Sequence, residues 1–314
     1  RQGYQGPNVM AAGKNFIFNG AVDVAQRGTS FTYLYLTTPI VAAYTLDRWY
    51  MYCVGTNPNG AGMSQQVTSL DSNILPNNFN YYTNFYSTQS SGAVWVGQAF
   101  DLDDVIQMQG KTMTLSFWWK SKNSNNVDQA FISYNTASSK SANYLLTVSG
   151  SGVSTLSLPY SANWVYYTLT FTMPNDAQSV GVFFQSSDVG NMKTAGGNFT
   201  GVQLELSSQA TVFSRRGGTY AQELKECQRY YYQYINPGNT YKTIGSGQCT
   251  TTTSADIYTK FPNTMRDIPT LVTSATSDFA VSNASGAATA TTNLTLSRAT
   301  NDSTRLVATA VSYT

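Results

Sequence analysis

Two stretches of this chain alternate with a period of two, and that period dictates extended backbone. In KTMTLSFWWKSK, Met113, Leu115, Phe117 and Trp119 fall on one side, with Thr112, Thr114, Ser116, Trp118 and Lys120 on the other. In NWVYYTLTFTMP, Val165, Tyr167, Leu169 and Phe171 stand against Trp164, Tyr166, Thr168, Thr170 and Thr172. Successive side chains of a strand point to opposite faces, so each stretch reads as a strand with one buried face. Pro174 ends the second, because proline has no amide hydrogen for a ladder. Other short apolar runs follow the same reading: NFIFNG, LDRWYMYCV (Leu46–Val54), VWVGQAFDL (Val94–Leu102) and SVGVFFQSS (Ser179–Ser187). At Val202–Leu206 the parity turns Val202, Leu204 and Leu206 inward and Gln203 and Glu205 outward. Many short half-buried strands between polar turns imply a mainly β fold, an antiparallel sandwich over residues 15–214.

One segment breaks this rhythm. SRRGG (Ser214–Gly218) reads as a hinge whose glycines free the backbone and whose Arg215 and Arg216 pair with acids of another domain or chain. Thr219, with Gln222 three residues on, reads as a helix N-cap. Tyr220, Leu224, Cys227, Tyr231 and Tyr234 then recur at heptad spacing until Pro237 and Gly238 stop the helix. So short a helix is marginal alone. Its stripe packs either on its own domain or on copies of itself near a symmetry axis, which makes these five residues the oligomer-interface candidates. Residues 215–238 are thus a hinge and connecting helix. Residues 239–314, rich in Thr, Ser and Ala, are read as a small C-terminal β domain with strands near Thr250–Phe261, Thr270–Ala275, Ala287–Leu296 and Arg305–Tyr313. Its core is thin, which association between chains would relieve.

Composition removes whole classes of function. The chain has no histidine, so neither a Ser-His-Asp nor a Cys-His triad can be built. A net charge of +2 gives no basic stripe for nucleic acid, and no run reaches the roughly 20 apolar residues of a membrane span. Cys53, Cys227 and Cys249 form no metal-type pair and read as buried thiols. Asp101, Asp103 and Asp104 offer oxygens that suit calcium, but without the EF-hand spacing they read as a solvated turn; no cofactor is expected. Asp47 and Arg48 of the DRW triplet read as a charge-assisted pair that locks the fold. The chain begins at Arg1, read as a processed product or the C-terminal piece of something longer. Gly3 and Gly6, in phase with Pro7, are either a loop or the end of a collagen-like stalk within an extension over residues 1–14.

Several stretches carry a resemblance in their order: NGAVDVAQRGTSF (Asn19–Phe31), YTLDRWY (Tyr44–Tyr50), GKTMTLSFWWKSK (Gly110–Lys122), NWVYYTLTFTMP and GVQLELSSQATVFSRR (Gly201–Arg216). Together with ELKECQRYYYQY and FPNTMRDIPT they resemble a module of bacteriophage tail-fibre and appendage proteins, a jelly roll similar to carbohydrate-binding modules. The resemblance covers nearly all the chain after residue 15. It implies a virion fibre or appendage, commonly trimeric, whose partners are other virion proteins and a host surface.

Sugar binding needs flat aromatic faces and hydrogen-bonding side chains. The 22 tyrosines suit it. One polar sheet face is expected to carry Trp118, Lys120, Trp164, Tyr166, Gln203 and Glu205, the glycan-binding candidates. That face is either open or covered by a loop or a neighbouring subunit. NFNYYTNFY (Asn78–Tyr86), read as an exposed loop, is a second candidate. No segment singles out the carboxylate pair a glycan hydrolase needs, though Asp103 with Asp104 or Glu205 is available. The expected function is therefore non-catalytic recognition of host-surface polysaccharide, against a purely structural capsid, collar or tail fibre, with depolymerisation ranked last.

Overall fold

The structure is a computed structural model and describes residues 15–33, 40–54, 60–70, 79–88, 93–136, 151–188, 195–234, 242–282 and 287–310. The Gly3–Pro7 stretch and the Pro237–Gly238 stop lie outside these residues. The chain divides into two compact units, Arg1–Leu224 and Lys225–Thr314.

In the first unit the strands run β1 (Ser30–Tyr33), β2 (Ile40–Tyr44), β3 (Tyr50–Val54), β4 (Ala61–Val67), β5 (Tyr81–Ser87) and β6 (Ala93–Ala99). Helix α1 (Leu102–Met108) follows, then β7 (Thr112–Ser121), β8 (Asn126–Asn135), β9 (Ser151–Leu158), β10 (Val165–Thr172), β11 (Ser179–Asp188) and β12 (Ala195–Glu205). They form two six-stranded sheets, ordered β1-β4-β5-β12-β7-β10 and β2-β3-β6-β11-β8-β9, with every pairing antiparallel. The eight strands β5 to β12 follow jelly-roll order, changing sheet at every step except from β8 to its hairpin partner β9, and β1 with β4 and β2 with β3 extend one edge of each.

The alternation read from the sequence sets the register. Trp119 faces Val165, Phe117 faces Tyr167, Leu115 faces Leu169 and Met113 faces Phe171. Met113, Leu115, Phe117 and Trp119 are fully buried, and Tyr167, Leu169 and Phe171 pack against the same core. Phe184 of the second sheet sits at the centre, with ring centroids 4.5 Å from Phe199, 4.8 Å from Phe117 and 5.7 Å from Trp119. Rings this close add to what their buried area already contributes. Gly197 of β12 makes room for this packing, since a Cβ there would lie 2.3 Å from the Trp119 ring. Further along β12, Gly201 and Val202 together oppose Phe117, a bulge in which Gly201 takes φ 62°. The extra residue keeps Phe199, Val202 and Leu204 on the core side and Thr200 and Gln203 on the outer side.

Several sequence expectations change here. NFIFNG is not a strand: Phe16, Ile17 and Phe18 plug into the core in a run of turns anchored by Asn15 and Asn19. Leu46–Val54 is a strand only from Tyr50; the DRW triplet is a turn with Arg48 at φ 69°. Asp47 and Arg48 do not pair with each other. Asp47 accepts from the backbone and side chain of Gln26, while Arg48 donates to the Ala99 carbonyl. NFNYYTNFY is not an exposed loop but contributes β5, in the interior of the first sheet. Asp103 and Asp104 lie in the first turn of α1 rather than a solvated turn.

The helix is α2 (Tyr220–Gln228). Thr219 caps it, accepting from the Gln222 amide at 3.2 Å. Cys227 is buried, Leu224 half-buried and Tyr220 exposed, but Tyr231 and Tyr234 follow the helix end, so the five-residue stripe is not one helical face. The tyrosine run is a weak helix former, and the Arg229 carbonyl is taken by the Arg266 amide at 2.8 Å. Arg215 and Arg216 pair within their own unit, with Asp23 and Asp104, rather than with another domain or chain. The second unit holds a four-stranded sheet ordered β13 (Ser246–Thr251), β14 (Ser254–Lys260), β18 (Ser303–Thr309), β17 (Asn293–Ser297), and a pair of short strands, β15 (Ala280–Ser282) and β16 (Ala288–Ala290). Residues 270–275 are not a strand, and the run after Ala287 splits into β16 and β17. The three cysteines are unbridged, and Cys249 is exposed rather than buried.

Candidate functional site

The outer face of the first sheet gathers the aromatic and amide side chains. On β7, Trp118 and Lys120 point away from the core; on β10, Tyr166 does the same. Trp118 and Tyr166 are direct cross-strand partners with ring centroids 5.2 Å apart, and Tyr166 is 41% exposed. Trp164 precedes β10, is buried rather than open on this face, and meets Tyr82 edge-on at 5.4 Å. The Lys120 ammonium stands 6.0 Å from the Trp164 ring.

Strands β5 and β12 extend this surface. Tyr82, Asn84 and Tyr86 alternate with the buried Thr83, Phe85 and Ser87, so they share the outer face. Asn198 pairs in register with both Asn84 and Lys120, and its amide donates to the Lys120 carbonyl at 3.2 Å. The Lys122 ammonium lies 3.5 Å from Asn84 Oδ1 and 4.5 Å from the Tyr86 ring. Beyond Tyr86, a depression of about 380 Å³ runs along β1 and β4, lined among others by Ser30, Thr32, Ser64 and Gln66. Tyr82, Asn84 and Tyr86 belong to the Asn78–Tyr86 stretch expected as a second candidate, on a strand rather than an exposed loop, and Asn198 was not among the residues expected from sequence. The every-second-residue spacing of Tyr82, Asn84 and Tyr86 was the signal that this stretch is a strand.

Besides the buried Trp164, two expected members leave the open face. Gln203 and Glu205 are fully buried, because the chain's own segment from Ser207 to Ser214 lies over them. Glu205 accepts from the Thr211 amide and hydroxyl at 2.8 and 2.7 Å; Gln203 donates to Thr211 and accepts from the Ser214 amide. A loop therefore covers one end of the face, while Trp118, Lys120 and Tyr166 at the other end stay part-exposed. Glu205 is the sole acid in the six strands of this sheet, so among their described residues no carboxylate is presented outward. Asp104 is likewise committed, paired with Arg216 at 3.0 Å. Among the described residues, no three His, Cys, Asp or Glu side chains cluster as a metal site would require.

No protein-family model matches this chain, and no curated protein does either. Among solved structures it is similar to the enzymatically active domain of bacteriophage CBA120 tailspike protein 4, at 16% identity and TM-score 0.40. That match covers 62% of this chain and 21% of the tailspike chain. The carbohydrate-binding module TmCBM61, solved with β-1,4-galactotriose, matches at 9% identity and TM-score 0.36, covering 62% of this chain and 99% of the module. The xylan-binding CBM22-1 domain from Paenibacillus barcinonensis Xyn10C matches at 11% identity and TM-score 0.34, covering 64% and 99%.

Proposed function

We propose that this chain is a non-catalytic glycan-recognition element of a virion fibre or tail appendage, working as one of three identical chains. What supports the glycan reading is one surface: Trp118 and Tyr166 side by side on paired strands, with Asn84, Asn198 and Lys120 beside them. An aromatic pair on a rigid sheet offers flat apolar area to one face of a sugar ring at little entropic cost. The amides and ammonium groups donate to ring hydroxyls and carbonyl groups. The virion role and the trimer rest on the ordered sequence motifs.

Binding to a glycan array followed by titration of the best ligand tests this. Trp118→Ala and Tyr166→Ala each weaken binding about tenfold, equal to about 1.4 kcal/mol, with the melting temperature nearly unchanged because both rings are part-exposed. Unchanged affinity would move the site elsewhere. A complete lack of glycan binding would leave a structural appendage as the function, and reducing-sugar release from host polysaccharide would make the chain an enzyme. Light scattering that returns a monomer mass would remove the trimer.

A further inference from the structure

The second unit holds a feature that neither its sheet nor the glycan face requires. Strands β14 and β18 pair Tyr258 with Arg305 and Lys260 with Ser303. Arg298, at φ 49°, follows β17 in the turn that leads to β18. Together these residues line a hollow of about 460 Å³.

The charges in this hollow do not balance. Arg305 is compensated: it donates to Asp256 at 2.8 Å and to Ser297 at 2.9 Å. Lys260 and Arg298 are exposed and form no ion pair among the described residues. Asp302, the next acid along the turn, instead accepts from Thr264 at 2.6 Å. Two cations therefore converge on a concave surface with no anion of their own. Tyr258, 55% exposed on the same strand face as Lys260, adds a flat ring with a hydroxyl tip.

We propose that this hollow is a second ligand site, which takes an anionic group (carboxylate, sulfate or phosphate) carried on a polysaccharide. Arg298 offers a planar fork of donors that matches such a group, and Lys260 adds a mobile point charge. Tyr258 stacks on the sugar that bears it, and the Ser303 hydroxyl adds a donor and an acceptor. This site is separate from the Trp118 face and does not depend on it.

The test titrates the full chain with polygalacturonate, dextran sulfate and poly(glycerol phosphate), with uncharged dextran alongside. At least one polyanion binds, and dextran does not bind here. Lys260→Ala with Arg298→Ala lowers that affinity at least tenfold, and Tyr258→Ala at least threefold. Trp118→Ala leaves it unchanged. Which polyanion binds most tightly identifies the anionic group. Binding weakens as salt is raised, since exposed charges are screened. All three side chains are exposed, so the melting temperature stays constant and folding does not confound the result. The inference is overturned if no polyanion binds, or if the double variant binds like the parent. It is also overturned if a single-stranded oligonucleotide binds more tightly than every polysaccharide. Loss with Trp118→Ala but not with the double variant would place polyanion binding on the jelly-roll face. That result would remove this second site and leave the proposed function standing.

Discussion

Glu223→Gln stabilises the protein by about 3 kcal/mol at pH 8 and changes nothing below about pH 4.5. Glu223 lies fully buried in the first turn of α2. Burial is the main cause that pushes its carboxyl up from 4.5 to about 7, and the nearby Asp23 charge pushes in the same direction. Arg215, 3.6 Å away and already paired with Asp23, offsets this only in part. Between about pH 4.5 and 7 the folded chain holds a proton that the unfolded chain has released. Stability therefore falls as pH rises through that window and stays low above it. A shift of about 2.5 units corresponds to about 3 kcal/mol. Glutamine keeps the shape without the charge, so it removes the slope. Asp128, raised to about 6 chiefly by burial, leaves a residual slope of the same sign. Urea unfolding at pH 4, 6 and 8 reads both effects. A variant whose stability tracks the parent across that range would show that Glu223 is not the group responsible.

Asn15→Ala costs about 3–5 kcal/mol, because one buried amide satisfies four backbone groups. Asn15 Nδ2 donates to the Val202 and Ser214 carbonyls at 3.0 and 3.1 Å. Its Oδ1 accepts from the Ile17 and Leu204 amides at 2.9 and 3.0 Å. Alanine leaves those groups buried without partners, each at a cost of about 1–3 kcal/mol, partly relieved by relaxation and entering water. Asn15→Asp keeps the acceptor side and loses the donors, so it falls between parent and alanine. Denaturant midpoints measure the series. A loss under about 1 kcal/mol for alanine would mean that the plug is held by its phenylalanines alone.

What was legible in the sequence was local. The two-residue period of β7 and β10 carried their register, their buried faces and, with β12, the jelly roll. The Thr219 cap was legible for the same reason, since the cap and its amide partner are three residues apart. Features that depend on distant partners were not. The Asn15 plug reads as a strand because its hydrogen bonds lie nearly 200 residues away, and apolar run length cannot tell a plug from a strand. Tyr82, Asn84 and Tyr86 were read as an exposed loop because the asparagines in their stretch carry a turn signal that sheet pairing overrides. Gln203 and Glu205 had the right parity for an outward face. Parity says nothing about a loop that later folds over it.

The Phe18 ring meets two guanidinium groups, 3.9 Å from Arg216 and 4.7 Å from Arg48, and Arg216 also donates to the Phe16 carbonyl. These contacts set the order in which the unit can be assembled. During synthesis Phe16, Ile17 and Phe18 emerge well before Val202, Leu204 and Arg216, so their binding place does not yet exist. Closing a loop of this length brings its reward only once both ends are made, which makes such long-range docking slow. A nascent chain that stops short of Arg216 exposes an apolar hook to chaperones and to other chains, and only the last strand of the jelly roll and the arginines after it draw that hook in.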